Sequence, residues 1–294
     1  MGEIQRSDYL MEFKLKQLDP ELHRKYVNNV AVMSVALDKY TSNFPTYTDH
    51  SMRHSLNVLE FCDKIIGSDN IKLLTADEIY ILLMAIYLHD LGMGISQKDY
   101  DEMMPQLDEE EMHAANRDGR QSALIRNYHH ELSGRMIAKY AVLFEIEGQD
   151  YIWAIAQVAR GHRVTDLMDE TEYPIEYRLD NGGRACLPYL AALIRLADEI
   201  DIARDRNLAK AYIIRDDYSE KDKAEFGKAN TIIKVDVEPE QFLVSLDTTS
   251  QYYQAVLDEA AKIRATLADC RAAVNGRTRY TIHQSEIIYR DYEG

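Results

Sequence analysis

Apolar residues along most of this 294-residue chain recur at intervals of three and four rather than two, the pattern of helices that bury one face. The periodicity predicts helices over 20–41, 51–66, 75–91, 97–116, 122–144, 151–161 and 187–204. It stops around Asn181, Gly182 and Gly183, after an extended or irregular TEYPIEY, which predicts an exposed polar loop. Beyond about Ala211 the pattern changes. Residues 231–237 and 242–246 are rich in β-branched and apolar positions on either side of a turn-like EPEQ, which predicts a hairpin. A helix over 250–274 and a strand-like run, RYTIHQSEIIYRDY, follow. The expected fold is mainly α, a helical bundle over 1–210 with a small α/β appendage over 211–294.

Composition narrows the function. With 46% hydrophobic residues the chain can form a core large enough to enclose a closed site. Fifty acidic against 34 basic residues give a formal charge of -16, which repels the phosphates of duplex nucleic acid. Cys62, Cys186 and Cys270 are far apart and form no CxxC pair, so neither a disulfide framework nor a cysteine zinc cluster is indicated, and a reducing cytoplasm fits. The opening MGEIQRSDYLMEFKLKQLDP lacks a secretory apolar core, and no run approaches the ~18 apolar residues of a membrane span. A soluble protein without a membrane partner is expected. The 20 tyrosines include Tyr252, Tyr253, Tyr280, Tyr289 and Tyr292 near the end; an interface, as in a homo-oligomer, and core packing both account for them. The acidic run at 108–111 reads as a solvated face.

Candidate chemistry begins in YILLMAIYLHDLGMG, where the apolar stripe Ile79, Leu83 and Ile86 runs onto Asp90, and Leu82 and Ile86 point toward His89. A carboxylate on a buried stripe costs several kcal/mol unless compensated, and a metal ion is the strongest compensator. Gly92 and Gly94 are expected to free the backbone so that both side chains turn toward one ion. His54 shares a helix face with Val58, Phe61, Cys62 and Ile65, and Asp198 adjoins the stripe Leu190, Ile194 and Ala197, which Asp201 continues. Singly, each has a structural explanation; together, two histidines and two aspartates on apolar faces of three helices have the ligand types of a metal site inside a bundle.

RHSLNV, LHDLGMG and LIRLADEID, in that order over roughly 44–206, resemble the HD-domain superfamily of metal-dependent phosphohydrolases, whose pattern is a His, an adjacent His-Asp and a distant Asp. The resemblance implies that His54, His89, Asp90 and Asp198 ligate one divalent metal. In some members extra histidines hold a second ion, and NYHHELSGRMI and ARGHRVTDL offer His129, His130 and His162. His129 fits better than His130 because a small residue, Ser133, stands four positions on; a helix-end cation is the alternative for His162. The DGxGYP that follows HHE in cyclic-di-GMP phosphodiesterases is absent, and the segments look most like stand-alone bacterial HD proteins.

The implied reaction is hydrolysis of a phosphate ester or anhydride by metal-activated water. Asp90 is the natural bridge between two ions, because a carboxylate has two oxygens. His50, at the mouth, is a candidate to protonate the leaving group or bind phosphate, and His130 is a further catalytic candidate. Arg53, Arg126, Arg160, Arg163 and Arg195 lie near proposed ligands and are candidate phosphate clamps, with an Arg195–Glu199 salt bridge as the equal alternative. Mixed His and carboxylate ligands suit Mn, Fe, Ni, Co, Zn or Mg. The charge favours a small nucleotide or cyclic (di)nucleotide over a polymer. A regulatory module that binds a nucleotide without turnover is the competing reading.

Overall fold

The computed structural model describes residues 9–39, 43–44, 52–106, 121–203 and 220–292. His50, the acidic run at 108–111 and the expected boundary near 210 lie outside the described residues. The first helix, α1 (Leu10–Leu18), is one that periodicity did not predict. It has no side-chain cap of its own; the carboxylate of Asp63, on a distant helix, instead accepts the backbone N–H groups of Leu10 and Met11 at 2.6 and 3.0 Å. α2 (Pro20–Leu37) starts at an Asp19 N-cap with Pro20 behind it.

α3 (Met52–Leu73) breaks at Gly67, whose φ of 63° is left-handed, so its first segment ends at Ile66 as the periodicity predicts. α4 (Ala76–Leu88) begins with a capping box, the Thr75 side chain on the Glu78 N–H and the Glu78 carboxylate on the Thr75 N–H. Every α4 residue from Glu78 to Leu88 is buried, which makes it the central rod of the bundle. A 3₁₀ turn, Leu91–Gly94, leads to α5 (Gln97–Met103), much shorter than the predicted helix, whose remainder past 106 lies outside the described residues. α6 (Gln121–Tyr140), α7 (Gln149–Arg160) and α8 (Leu187–Ile200) complete the bundle. Around α4 pack α1, α2, α3, α7 and α8, while α6 covers α7 and the turn after α4.

The segment around Asn181 contains a two-strand ribbon, β1 (Tyr177–Arg178) with β2 (Arg184–Ala185), and is tied down: Asn181 bonds Asp77, and Asp180 donates to Asp150. A second helix escaped the sequence reading, the polar α9 (Glu220–Thr231). β3 (Ile232–Val237) and β4 (Gln241–Leu246) form the predicted hairpin. α10 (Tyr253–Val274) then crosses over to β5 (Glu286–Asp291), which pairs with β4 in parallel, as a helical connection allows and a tight turn does not.

The fold is thus mainly α with a small α/β end, and one apolar core runs through it, from Met11 to Ile287. α10 packs on α8, and Tyr280 stacks on Tyr189 with ring centres 4.0 Å apart. Core packing therefore accounts for Tyr280, while Tyr292 is exposed. The three cysteines are buried and free, and among the described residues no single helix is long and apolar enough to cross a membrane.

Candidate metal centre

Residues from five helices converge beside the C-terminus of α4: His54 near the start of α3, His89 and Asp90 just past α4, His129 midway along α6, His162 just past α7 and Asp198 in the last turn of α8. Past the last turn of α4, Asp90 takes φ -98° and ψ 9°, out of helical geometry. Gly92 has an ordinary negative φ, so conformational freedom is not its role; a Cβ there would lie 2.4 Å from the His129 carbonyl oxygen and 2.9 Å from Leu132 Cβ. Its absence lets the turn sit directly on α6, where the Gly92 N–H donates to Ser133 Oγ at 2.8 Å. The small residue four positions after His129 thus anchors the turn that carries Asp90.

Two triads result, His54 with His89 and Asp198, and Asp90 with His129 and His162, with ligand atoms in each within 4.8 Å of one another. Asp90 joins them. Its Oδ2 lies 3.3 Å from His89 Nε2 and 3.5 Å from His54 Nε2, while its Oδ1 lies 3.4 Å from His129 Nε2 and 3.8 Å from His162 Nε2. Asp198 Oδ1 is 3.2 Å from His54 Nε2. Asp198 is the most exposed of the six, at 19%, so the centre opens on its side.

The far nitrogen of each imidazole is already engaged. The Nδ1 atoms of His89, His129 and His162 bond the carbonyls three residues earlier, Ile86, Arg126 and Ala159, at 2.8, 2.6 and 2.6 Å. The Nδ1 of His54 bonds Asp201 Oδ2 at 2.6 Å, and Asn57 donates to the other oxygen of that carboxylate at 3.0 Å. Carbonyls and carboxylates accept, so Nδ1 carries the hydrogen and Nε2 presents a lone pair, the tautomer of a metal-ligating histidine. Yet the Nε2 atoms face one another, His54 to His89 at 3.2 Å and His129 to His162 at 2.9 Å. Lone pairs so placed need a cation between them.

Protons are a poor answer. Burial pushes His129 down to about 4, with Arg163 adding to the fall and Asp90 opposing it, and pushes His162 well below its ordinary range, helped by His89 and His129. Burial alone would raise the Asp198 carboxyl; only positive charge at the His54 position, then at His89 and His162, pulls it well below the usual carboxylate range, and neutral imidazoles do not supply that charge themselves. The donor set of four imidazoles and two carboxylates, one bridging, fits divalent metal ions with neutral imidazoles.

A family model for HD-CE, a family of the HD-domain type, matches residues 44–279. The chain belongs to the HD-CE family. No curated protein and no solved structure matches it. The match extends past α8 through α10, so the HD-CE region takes in the hairpin as well as the helical bundle.

In this HD-CE chain the other expected site residues divide. His130 is buried beside the centre, its ring 6.1 Å from that of His129 and 6.5 Å from that of His162; burial, then Arg163, Arg160 and Arg195, push it down to about 4. Its Nδ1 and the Nε of Arg163 are buried polar atoms without a partner among the described residues. Arg53 and Arg126 are exposed beside His54 and one turn before His129.

Arg160 is engaged by Glu131 and Glu172. Arg195 does not reach outward as a clamp: its Nε donates to Gly161 O and its Nη2 to Thr165 O and Oγ1, each at 2.8 Å, holding the turn that follows His162. Nor does it pair with Glu199, which bridges to Lys262. Asp201 was visible only as the continuation of a stripe, and Asn57 not at all. The three-residue spacing of Asp198 and Asp201 was the available signal; Asp201 stands just past the end of α8 at Ile200 and reaches His54 from there.

Proposed function

We propose that this HD-CE protein is a metal-dependent phosphohydrolase acting on a phosphate ester or anhydride, with a nucleotide or cyclic (di)nucleotide as substrate. The observation that carries the reading is the Asp90 carboxylate, with one oxygen toward each histidine pair. His54, His89, Asp90 and Asp198 would hold one divalent ion, and Asp90, His129 and His162 a second. When bound, such ions polarise phosphoryl oxygens and lower the pKa of water toward about 7.

The chain's own residues do the remaining work. The Nδ1 bonds hold four imidazoles in one tautomer and orientation, so the donors need no rearrangement when substrate arrives. His130 is neutral at pH 7 and suited to accepting a proton or hydrogen bond. Arg163, with a donor already buried, is the first candidate to hold a phosphate oxygen, and Arg53 and Arg126 are candidates at the rim. His50 stays a candidate to protonate the leaving group or to bind phosphate.

A net charge of -16 favours a compact anion drawn in by ions and local arginines over a polymer. The test is a panel of nucleoside mono-, di- and triphosphates and cyclic (di)nucleotides assayed with Mn²⁺ and Mg²⁺, using Asp90→Ala as the blank. Turnover that vanishes in the blank supports the reading. Tight nucleotide binding without product would replace it with a regulatory role, and cleavage confined to long single-stranded nucleic acid would overturn the substrate class.

A further inference from the structure

The two halves of the centre have different supports. His54 alone among the four ligand histidines rests its Nδ1 on a carboxylate; the other three rest on peptide carbonyls. That carboxylate, Asp201, is 2% exposed, and Asn57 occupies its second oxygen. Three carboxylates therefore gather on this side: Asp90 through Oδ2, Asp198 through Oδ1, and Asp201 behind His54.

On the other side a single oxygen, Asp90 Oδ1, faces two imidazoles. Besides Asp90, the charge that acts on His129 is the guanidinium of Arg163, whose Nε is buried without a partner among the described residues. A group behind a ligand imidazole locks the ring, and removing it typically costs 10–100-fold in metal affinity; a charged carboxylate there makes the ring a stronger donor than a neutral carbonyl does. A nearby guanidinium repels a cation and attracts an anion.

Resting on the metal-centre reading above, we infer that the two positions are unequal. The His54 position holds its ion permanently, whereas the His129–His162 position binds weakly alone and fills together with the phosphate of substrate or product, whose charge Arg163 shares. Asp201 is the positioning residue behind the difference.

Calorimetric titration of Mn²⁺ into the chelator-stripped full chain, with and without inorganic phosphate, tests this. Two classes of site are expected, separated by roughly 100-fold in Kd, with phosphate tightening the weaker by about 10-fold and leaving the tighter unchanged. Asp201→Asn is expected to weaken the tighter class by roughly 10–100-fold and spare the weaker, with partial recovery in Asp201→Glu. Circular dichroism checks that the variants fold. Should Asp201→Asn fail to fold, Asn57→Ala, which removes only a donor to Asp201, weakens the tighter class alone by about 3-fold. Equal affinities, phosphate acting on both positions, or a variant that weakens both alike would overturn the inference while leaving the centre standing. A wild-type chain that binds no Mn²⁺ would overturn the centre itself.

Discussion

The Nε2 atoms of His129 and His162 face each other at 2.9 Å, each ring fixed through its Nδ1 to a carbonyl of its own chain segment. Two lone pairs cannot satisfy one another, and burial resists the proton that would join them. A metal ion explains the arrangement, and ion counting checks it. Under saturating Mn²⁺, His129→Ala should retain one ion where the wild type holds two. Asp90→Ala should lose both and drop hydrolysis by roughly 10³-fold or more, the several kcal/mol that a metal supplies to the transition state. Elemental analysis with single-turnover assays makes the measurement, and full metal content in Asp90→Ala would contradict it.

Acid should destabilise the chelator-stripped protein. His129 and His130 fall to about 4 in the folded chain from an ordinary 6.5, and His162 moves in the same direction. The unfolded chain then binds more protons between these values, so the contribution is complete above about 6.5 and lost as the pH falls toward 4. Asp63 works oppositely: burial raises its carboxyl to about 7, against the pull of the Leu10 and Met11 N–H groups, so it favours the fold as pH falls. Three groups outweigh one. Scanning fluorimetry should show the melting temperature falling from pH 6.5 to 4.5, and a flat or rising profile would refute the balance.

Glu78 ties the two ends of the fold together. Its wholly buried carboxylate accepts from Thr75 N, Cys186 N, Tyr280 Oη and Arg279 Nη2 at 3.0, 3.0, 2.6 and 2.7 Å. Glu78→Ala strands the Cys186 N–H and leaves the Tyr280 hydroxyl only the Leu73 carbonyl at 3.4 Å, and a loss of about 3 kcal/mol in urea unfolding is expected. Since Arg279 is about half exposed, Arg279→Ala should cost under about 1 kcal/mol.

Gly92→Ala tests how Asp90 is placed. The new methyl would meet His129 O at 2.4 Å, backbone that cannot move aside without shifting α6. A cost of about 1–3 kcal/mol is expected, with weakened metal binding at the His129–His162 position. Unchanged melting and metal titration would show that the turn and α6 separate freely.

The arginines should behave in opposite ways. Arg195→Lys cannot reproduce the bonds to Gly161 and Thr165 and should lower stability by about 1–3 kcal/mol. Arg163→Gln should leave the melting temperature near wild type and raise KM by about 10-fold. Comparing KM with unfolding data separates the two roles, and a KM effect confined to Arg195 would reverse them.

Much of the architecture lies in local pattern. The Thr75–Glu78 box starts α4, Asp19 and Pro20 start α2, Gly67 ends the first segment of α3, and EPEQ joins β3 to β4; each is set by residues a few positions apart. The metal donors were also legible as types, since His54, His89, Asp90, His129, His162 and Asp198 stand out as chemistry on apolar segments. Distant partners account for the rest. α1 is capped by Asp63, 53 positions from Leu10, so no local signal marks its start. The polar α9 is held partly by Lys228 bonding Glu259 on α10. Because α4 is buried on every side, its periodicity could not say which way His89 and Asp90 face.

By itself the sequence determined most of the helical segments, though not α1 or α9, and which residue types could bind a metal, because backbone preference and hydrophobic period are properties of neighbours. Only the tertiary structure decided that one carboxylate joins two histidine pairs and that Asp201 stands behind His54. Those relations depend on packing distances between segments tens to more than a hundred residues apart, which a one-dimensional pattern does not contain.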